Sequence, residues 1–449
     1  AAGASMGAAA SPGAPAAGGG ASRSRQLLVA AASVVAVLVA YTGYVLAGGA
    51  VFDSGERAQA AGDCDTATNR YDLVTGPFEL TLSADVARAE VNRAHCGVYT
   101  LALDEARAGR FASAVTRYHE FLNTTPANSL DEPAHAGLRQ AYLDWAAQER
   151  RDKAFPRAID AYRELVREYP DSAEAGRATV ELAATYFEQA ADYRAMLTPT
   201  DSPVDAVRGA MEAYLLVARE FPASEPAAQV PQALADTFAE AMRPFAAGMF
   251  CESLPALDYL TDLPPAESAG VVELARGNHA RAGFECGVIR YGTGDYDEAL
   301  NYFEAMATTY PDHPSAAAAG SAVVAATIAA AGATPAPALP PPLAGNSPGS
   351  ILLTLYNDSS SATEVLITGA TAHRVTLDAC GSCPAEYATA AEACRNTRGL
   401  PSIQLRLRPG NYHMLSRYPG PDGGRPYLST IDILSGYTHT SCFYVGPPS

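Results

Sequence analysis

One short pattern constrains this chain more than any other. It is clearest at Gly294-Asp295-Tyr296-Asp297-Glu298-Ala299-Leu300-Asn301-Tyr302-Phe303, closed by Tyr310-Pro311. Gly294 turns the chain, and Asp295 is placed to cap a helix beginning just after it. Ala299 is small where two antiparallel helices must approach. Phe303 lies four residues on, on the same helical face, and fills the space between them. Pro311 ends the helix because its ring cannot continue the hydrogen-bond ladder. The pattern therefore predicts the second helix of a helix-turn-helix pair.

The same grammar recurs upstream. Gly62-Asp63-Cys64 leads to Ala67 and Tyr71; Gly109-Arg110-Phe111 leads to Ala114, Tyr118 and Pro126. Phe155 leads to Ala158, Tyr162 and Tyr169-Pro170. Weaker copies contain Ala210, Tyr214 and Phe221-Pro222, then Gly248, Phe250, Leu257 and Pro264. This grammar resembles the tetratricopeptide repeat. The closest variety is that of bacterial envelope proteins, where Tyr-Pro-Asp-Ser follows each helix pair, as at Tyr169-Pro170-Asp171-Ser172 and, in part, Tyr310-Pro311-Asp312-His313. The resemblance covers roughly residues 54–330 and implies about six stacked helix pairs. The anchors Tyr71, Tyr118, Tyr162, Tyr214, Leu257 and Phe303 fall 47, 44, 52, 43 and 46 residues apart. A standard repeat has ~34 residues, so these units carry long helices or insertions, most evidently at 197–203.

Residues 1–25 are expected to be a disordered cytoplasmic tail of Ala, Gly, Ser and Pro. A transmembrane helix is expected over 26–48, because Leu27 to Ala47 is 21 residues without a charge. As a helix it would be ~31 Å long, close to the ~30 Å hydrocarbon core. Arg23 and Arg25 precede the run while Asp53 and Glu56 follow it. That charge order predicts a single-pass protein of the cell membrane, with its N-terminus cytoplasmic and the bulk of the chain extracytoplasmic. The competing reading is a cleaved signal peptide ending at Val45-Leu46-Ala47, although the run exceeds the usual ~7–15 residues of a signal core.

The repeat array is expected over 51–331 and a Pro-rich linker over 332–349. The last array helix, from Ser315 to Ala331, is read as a cap on the array. The texture then changes. Residues 350–449 read as a β-sandwich of about seven strands, beginning with Ile351-Leu352-Leu353-Thr354-Leu355-Tyr356. The turn Leu407-Arg408-Pro409-Gly410-Asn411-Tyr412 resembles one common in small extracellular β-sandwiches, in which the aromatic plugs the core. Residues 384–396 read as a short helix between strands. The fold class is thus mainly α: a tetratricopeptide-like solenoid with one transmembrane helix and a disulfide-bonded β-sandwich.

The eight cysteines are the strongest chemical signal. Outside the cytoplasmic membrane an even count argues for structural disulfides. Cys64 with Cys96, and Cys251 with Cys286, would each staple neighbouring helices. For the β domain we expect Cys383–Cys394 and Cys380–Cys442, because a ring closed between Cys380 and Cys383 is strained unless specially shaped. Zinc bound by the last four, spaced C-x2-C-x10-C-x47-C, is an alternative. Redox activity at Cys380-Gly381-Ser382-Cys383 is another, although thioredoxin-like motifs begin a helix on a βαβ unit.

Net charge is −18. The first 49 residues carry +2 and the last 100 none, so −20 falls on residues 50–349. Such acidity, with no basic stripe, excludes a nucleic-acid partner. No histidine lies in an HxxxH or HExxH word, no Gly-rich phosphate loop is present and no acid–base pair stands out. We therefore expect a non-enzymatic envelope scaffold, without catalytic residues, metal or cofactor, holding a protein or peptide partner. The runner-up is a wall-associated module in which the β domain binds carbohydrate through Tyr412, Tyr418, Tyr427 and Tyr437.

Overall fold

The computed structural model describes residues 22–81, 83–341, 350–389, 391–418 and 426–446. The expected tail up to residue 21 and the expected linker from 342 to 349 lie outside these. The chain divides into two compact units, Ala1–Thr185 and Tyr186–Ser449, and each is described by itself.

The first unit begins with α1 (Ser22–Ala60), a single helix of 39 residues. It is long and apolar enough to cross a membrane. Two boundaries drawn from sequence move here: residues 22–25 are already helical, and the helix does not stop at 48. Gly48, Phe52, Gly55 and Gln59 are buried at alternating spacings of four and three, the period of one helix face. The end of α1 is therefore the first helix of repeat one, and α2 (Cys64–Thr75) is its partner. A short 3-10 turn, Glu79–Thr81, follows. Repeat two is α3 (Ala84–Arg107) with α4 (Phe111–Thr124). Repeat three is α5 (Asp131–Arg151) with α6 (Phe155–Glu168). In α6, Phe155, Ala158, Ile159, Tyr162 and Leu165 are buried, an i, i+3, i+4, i+7 stripe that faces the core. Helix α7 (Ala173–Arg194) crosses into the second unit.

The second unit continues with α8 (Val204–Glu220), α9 (Glu225–Ala241), the single turn α10 (Arg243–Ala246) and α11 (Phe250–Thr261). Then come α12 (Pro265–Thr293), α13 (Tyr296–Thr309) and α14 (Ala316–Ala330).

The anchors sit where the repeat pattern places them. Tyr71, Tyr118, Tyr162, Tyr214, Leu257 and Phe303 are each at most 2% exposed, and Ala67, Ala114, Ala158, Ala210 and Ala299 are fully buried. Burying one such aromatic stabilises by ~1.5–3 kcal/mol. Glycines on the facing helix make room for the rings. A Cβ at Gly287 would lie 2.6 Å from the Phe303 ring, and one at Gly55 would lie 2.7 Å from Tyr71.

The turn between helices is also repeated. Gly62, Gly109, Gly248, Gly294 and Gly332 have φ of +77°, +73°, +83°, +89° and +96°. At each, the glycine N–H bonds three residues back, and the next N–H bonds five back, the closing pattern of a Schellman motif. Repeat three has no glycine there. Lys153 takes the place at φ +57° with the same two bonds, and it is the chain's single lysine. The expected cap at Asp295 differs: its carboxylate accepts from Thr293 Oγ1 at 3.0 Å rather than from a helix N–H. Asp63 does cap, accepting from the Thr66 N–H at 3.0 Å.

Because Gly332 closes α14 as the others close their first helices, α14 is the first helix of a seventh unit. It is not the cap read from sequence. Ala322, Val323 and Ala326 pack on Ala299 and Phe303, while Val324 and Ile328 pack on Leu366 and Leu415 of the β domain. Burial on both sides explains why α14 is apolar all round. Nor do residues 332–341 run free as a linker: Tyr291 donates to the Pro337 carbonyl, and Leu339 packs beside Phe303's cluster.

The β domain has strands β1 (Ile351–Asn357), β2 (Thr363–Thr368), β3 (Ala372–Leu377), β4 (Ser402–Leu407), β5 (Gly410–Arg417), β6 (Tyr427–Ile433) and β7 (His439–Phe443). They form a three-stranded sheet, β4-β1-β7, and a four-stranded sheet, β3-β2-β5-β6. All pairs are antiparallel except β1 with β7. Leu353, Leu355, Val365, Ile367, Leu407 and Tyr412 fill the core between the sheets and are fully buried. Leu366 points the other way, onto α14, so β2 is apolar on both faces. The expected helix over 384–396 is not formed; its described residues run through turns. Positive φ at Cys394 (+60°) is incompatible with a right-handed helix there.

Candidate functional site

A cavity of about 360 Å³ lies between the last two repeats of the second unit. Its walls come from α11 (Cys251, Leu254, Pro255), α12 (Ala280, Gly283) and α13 (Ala305, Met306). Small residues leave the space open: a Cβ added at Gly283 meets nothing within 4 Å. Pro255 carries no N–H, so the Cys251 carbonyl lacks its helical donor.

The polar side is ordered around one histidine. His279 Nε2 lies 2.6 Å from Asp258 Oδ1, and His279 Nδ1 lies 2.9 Å from the Tyr310 hydroxyl. A carboxylate only accepts, so Nε2–H donates to Asp258, while Nδ1 pairs with the phenol. Burial, then the charge of Asp258, pushes the Tyr310 phenol up from its ordinary value. The chain therefore ends in a neutral hydroxyl held in place. It is a positioning element that presents one exposed carboxylate, Asp258, beside an apolar hollow.

The same pairing occurs in repeat three, where His135 Nδ1 lies 2.8 Å from the Tyr169 hydroxyl. In both repeats a first-helix histidine meets the tyrosine of the Tyr-Pro word that closes the pair. Sequence analysis found these histidines in no metal-binding word and missed the pairing. The signal was present as a histidine 34 and 31 residues before Tyr169 and Tyr310. A third contact, His119 Nε2 to the Tyr142 hydroxyl at 2.9 Å, adds Glu168 at 3.4 Å from that hydroxyl. Burial, with Glu168 second, pushes Tyr142 up to about 12.

All eight cysteines are paired. Cys64–Cys96 and Cys251–Cys286 form as expected, with Cα atoms 5.3 and 5.0 Å apart. Each joins the start of a second helix to a first-helix cysteine in the next repeat that is followed by glycine, Gly97 or Gly287. The β-domain pairing is the reverse of the expectation: Cys380 bonds Cys383 and Cys394 bonds Cys442. The reason is local. The Cys380 N–H is held by the Ser359 carbonyl, and the Cys383 N–H bonds the Cys380 carbonyl at 3.2 Å. That turn brings the two Cα atoms to 5.3 Å, inside the usual disulfide range. Cys394 is drawn to Cys442 through Asp358. This carboxylate is 6% exposed and accepts from the Cys394 N–H and the Tyr387 hydroxyl, both at 2.7 Å. The bond to Asp358 pushes Tyr387 up to about 12.

These pairings leave none of the last four sulfurs as a thiolate for zinc. Cys380-Gly381-Ser382-Cys383 closes on itself, but in the turn after β3 and not at a helix start. The four tyrosines of the carbohydrate reading do not share a face: Tyr412 is fully buried in the core, as its turn predicted, while Tyr427 and Tyr437 are 65% and 66% exposed.

Residues 137–172 and 281–313 match the tetratricopeptide repeat family model. The chain carries tetratricopeptide repeats. The matched segments take in most of repeat three and the later part of α12 with α13, the two repeats with the histidine–tyrosine pair. Among solved structures, a Rap protein complexed with competence and sporulation factor aligns over 63% of this chain and 71% of its own. Identity is 14% and the TM-score 0.14, so this likeness carries no argument. A search of curated proteins found no match.

Proposed function

We propose that this protein is a membrane-anchored, extracytoplasmic, non-enzymatic scaffold whose repeats hold a protein or peptide partner. The observation that carries the binding reading is the cavity between the last two tetratricopeptide repeats. An apolar hollow with one fixed carboxylate suits an apolar side chain next to a cationic group. The surplus of −20 on residues 50–349 favours the same kind of partner. Four disulfides without a free cysteine favour an oxidising compartment. The continuity of α1 into repeat one favours an anchor over a cleaved signal, since cleavage after Ala47 would part contacts made by Tyr41 and Tyr44 with residues 77–81.

The test uses a photo-crosslinking residue at Thr309, on the cavity wall, in the full chain in native membranes. A discrete adduct is expected, lost when Gly283→Leu fills the hollow. An adduct that survives Gly283→Leu with the fold intact would place binding elsewhere. Protease added to intact protoplasts should remove everything beyond Gly48, and protection of the repeats would reverse the orientation. The carbohydrate reading retains only the exposed Tyr427 and Tyr437, and loss of wall binding on their joint replacement by alanine would revive it.

A further inference from the structure

The segment between α2 and α3 turns back along α1 into the apolar run. The Tyr41 hydroxyl donates to the Thr81 carbonyl at 3.0 Å, and the Tyr44 hydroxyl donates to the Pro77 carbonyl. The Tyr44 and Phe78 rings meet at a tilt of 41°, with centroids 5.1 Å apart. Gly48, where burial of α1 begins, leaves room for Phe78 and Thr81. Tyr41 lies seven residues before Gly48, or ~10 Å along the helix. A span of ~20 residues begun just after Arg25 ends near Val45. Residues 76–81 thus lie beside the last turn of the span, not above it.

The build of this segment suits that depth. Irregular backbone near lipid needs its polar groups satisfied within the protein. Gly76, Phe78, Glu79 and Thr81 each donate an N–H to a carbonyl of the chain, and Pro77 has none to offer. Two carbonyls are taken by tyrosines of α1, the residue type that settles at the membrane–water boundary. Leu80 is 75% exposed. Residues 76–81 contain one acid, Glu79, and no cation, so attraction does not depend on anionic lipid.

We propose that residues 76–81 form a foot that sets Leu80 and Phe78 into the interfacial layer of the bilayer, so that repeat one stands directly on the membrane. The proposal rests on the reading of α1 as a membrane span, and its test separates the two. The full chain is reconstituted in phosphatidylcholine vesicles with acyl chains brominated at shallow or deep positions. Leu80→Trp and Leu38→Trp are compared with the parent, whose single tryptophan, Trp145, gives the baseline. Loss of the Leu80→Trp emission is expected to be largest with shallow bromines, and that of Leu38→Trp with deep ones. Replacing half the phosphatidylcholine by phosphatidylglycerol should leave both unchanged. Unquenched, red-shifted emission from Leu80→Trp alongside quenched Leu38→Trp would overturn the foot and leave the span standing. If neither is quenched, both readings fall. Because Leu80 is exposed in the folded chain, its replacement does not disturb the core.

Discussion

The helical repeats and the β domain both carry two disulfides, and use them differently. In the repeats each bond spans 32 or 35 residues and joins helices that already pack as neighbours. In the β domain one bond closes a turn of four residues and the other spans 48. The second ties the edge strand β7 to a stretch without regular structure. That stretch, between β3 and β4, is held by Asp358 and the two disulfides rather than by the core. A repeat contacts only its neighbours, so a staple there reinforces a local contact. A sandwich closes through residues distant in sequence, so its staple secures a contact that chain entropy opposes.

The largest effect should come from the β domain. Replacing Cys394 and Cys442 together by alanine removes a 48-residue closure, worth ~4 kcal/mol in the chain-entropy model. We expect one cooperative loss of protection across β7, β1 and the stretch from 378 to 401 in hydrogen exchange. Loss confined to that stretch would show that the sheets stand without the staple.

Next in size is Cys251→Ala, which removes a 35-residue closure worth ~3–4 kcal/mol, or less if the native bond is strained. Here loosening should stay local, with faster exchange in α11, α12 and α13 than in repeats two and three. The repeat that ends in α11 is the weak link because Leu257 stands where four others have tyrosine and one phenylalanine. Uniform loss across all the repeats would erase the contrast with the β domain.

Two glycines on one helix sharpen the picture further. Gly287→Ala drives a Cβ into the Phe303 ring, 2.6 Å away, and should cost ~2 kcal/mol through overpacking. Gly283→Ala meets open space and should instead stabilise by up to ~1 kcal/mol, because alanine favours the helix. Thermal denaturation of both variants checks the sign, and equal shifts would mean that α12 and α13 are not in close contact.

The smallest expected change is a gain. Lys153→Gly relieves a left-handed lysine at φ +57° and should stabilise repeat three by ~0.5–1 kcal/mol after allowing for the freer unfolded chain. Slower exchange in α5 and α6 alone would support a local effect. A loss of stability would mean that the lysine side chain contributes more than its backbone costs.

The two regions also differed in how far they could be read from sequence. Ala114, Tyr118, Ala299 and Phe303 sit where the helical period put them, because that period is local. The first strand of the β domain was legible for the same reason, from the apolar run at Ile351–Tyr356. What failed lay where distant residues meet. The end of the apolar run at 48 looked like a helix boundary, yet Phe52 and Gln59 continue the same helix to pack against α2. The segment 384–396 has helix-forming composition, but Asp358 and two disulfides hold its described residues in turns. The candidate cavity was invisible, because a hollow depends on which small residues of three helices come to face one another.

By itself, then, the sequence determined the repeated helix pairs and the apolar length of α1, and its spacing put Cys64 near Cys96 and Cys251 near Cys286. Each follows from the period or from the spacing of neighbouring repeats, which short-range geometry dictates. Tertiary structure alone decided the partners of Cys380 and Cys394, the second apolar contact of α14 on Leu366 and Leu415, and the meeting of His279 with Asp258 and Tyr310. Spacing sets the entropy of closing a loop, but not the direction in which a side chain points once it is closed. That direction comes from the hydrogen bonds and packing of the whole fold, as Asp358 shows by drawing Cys394 toward Cys442.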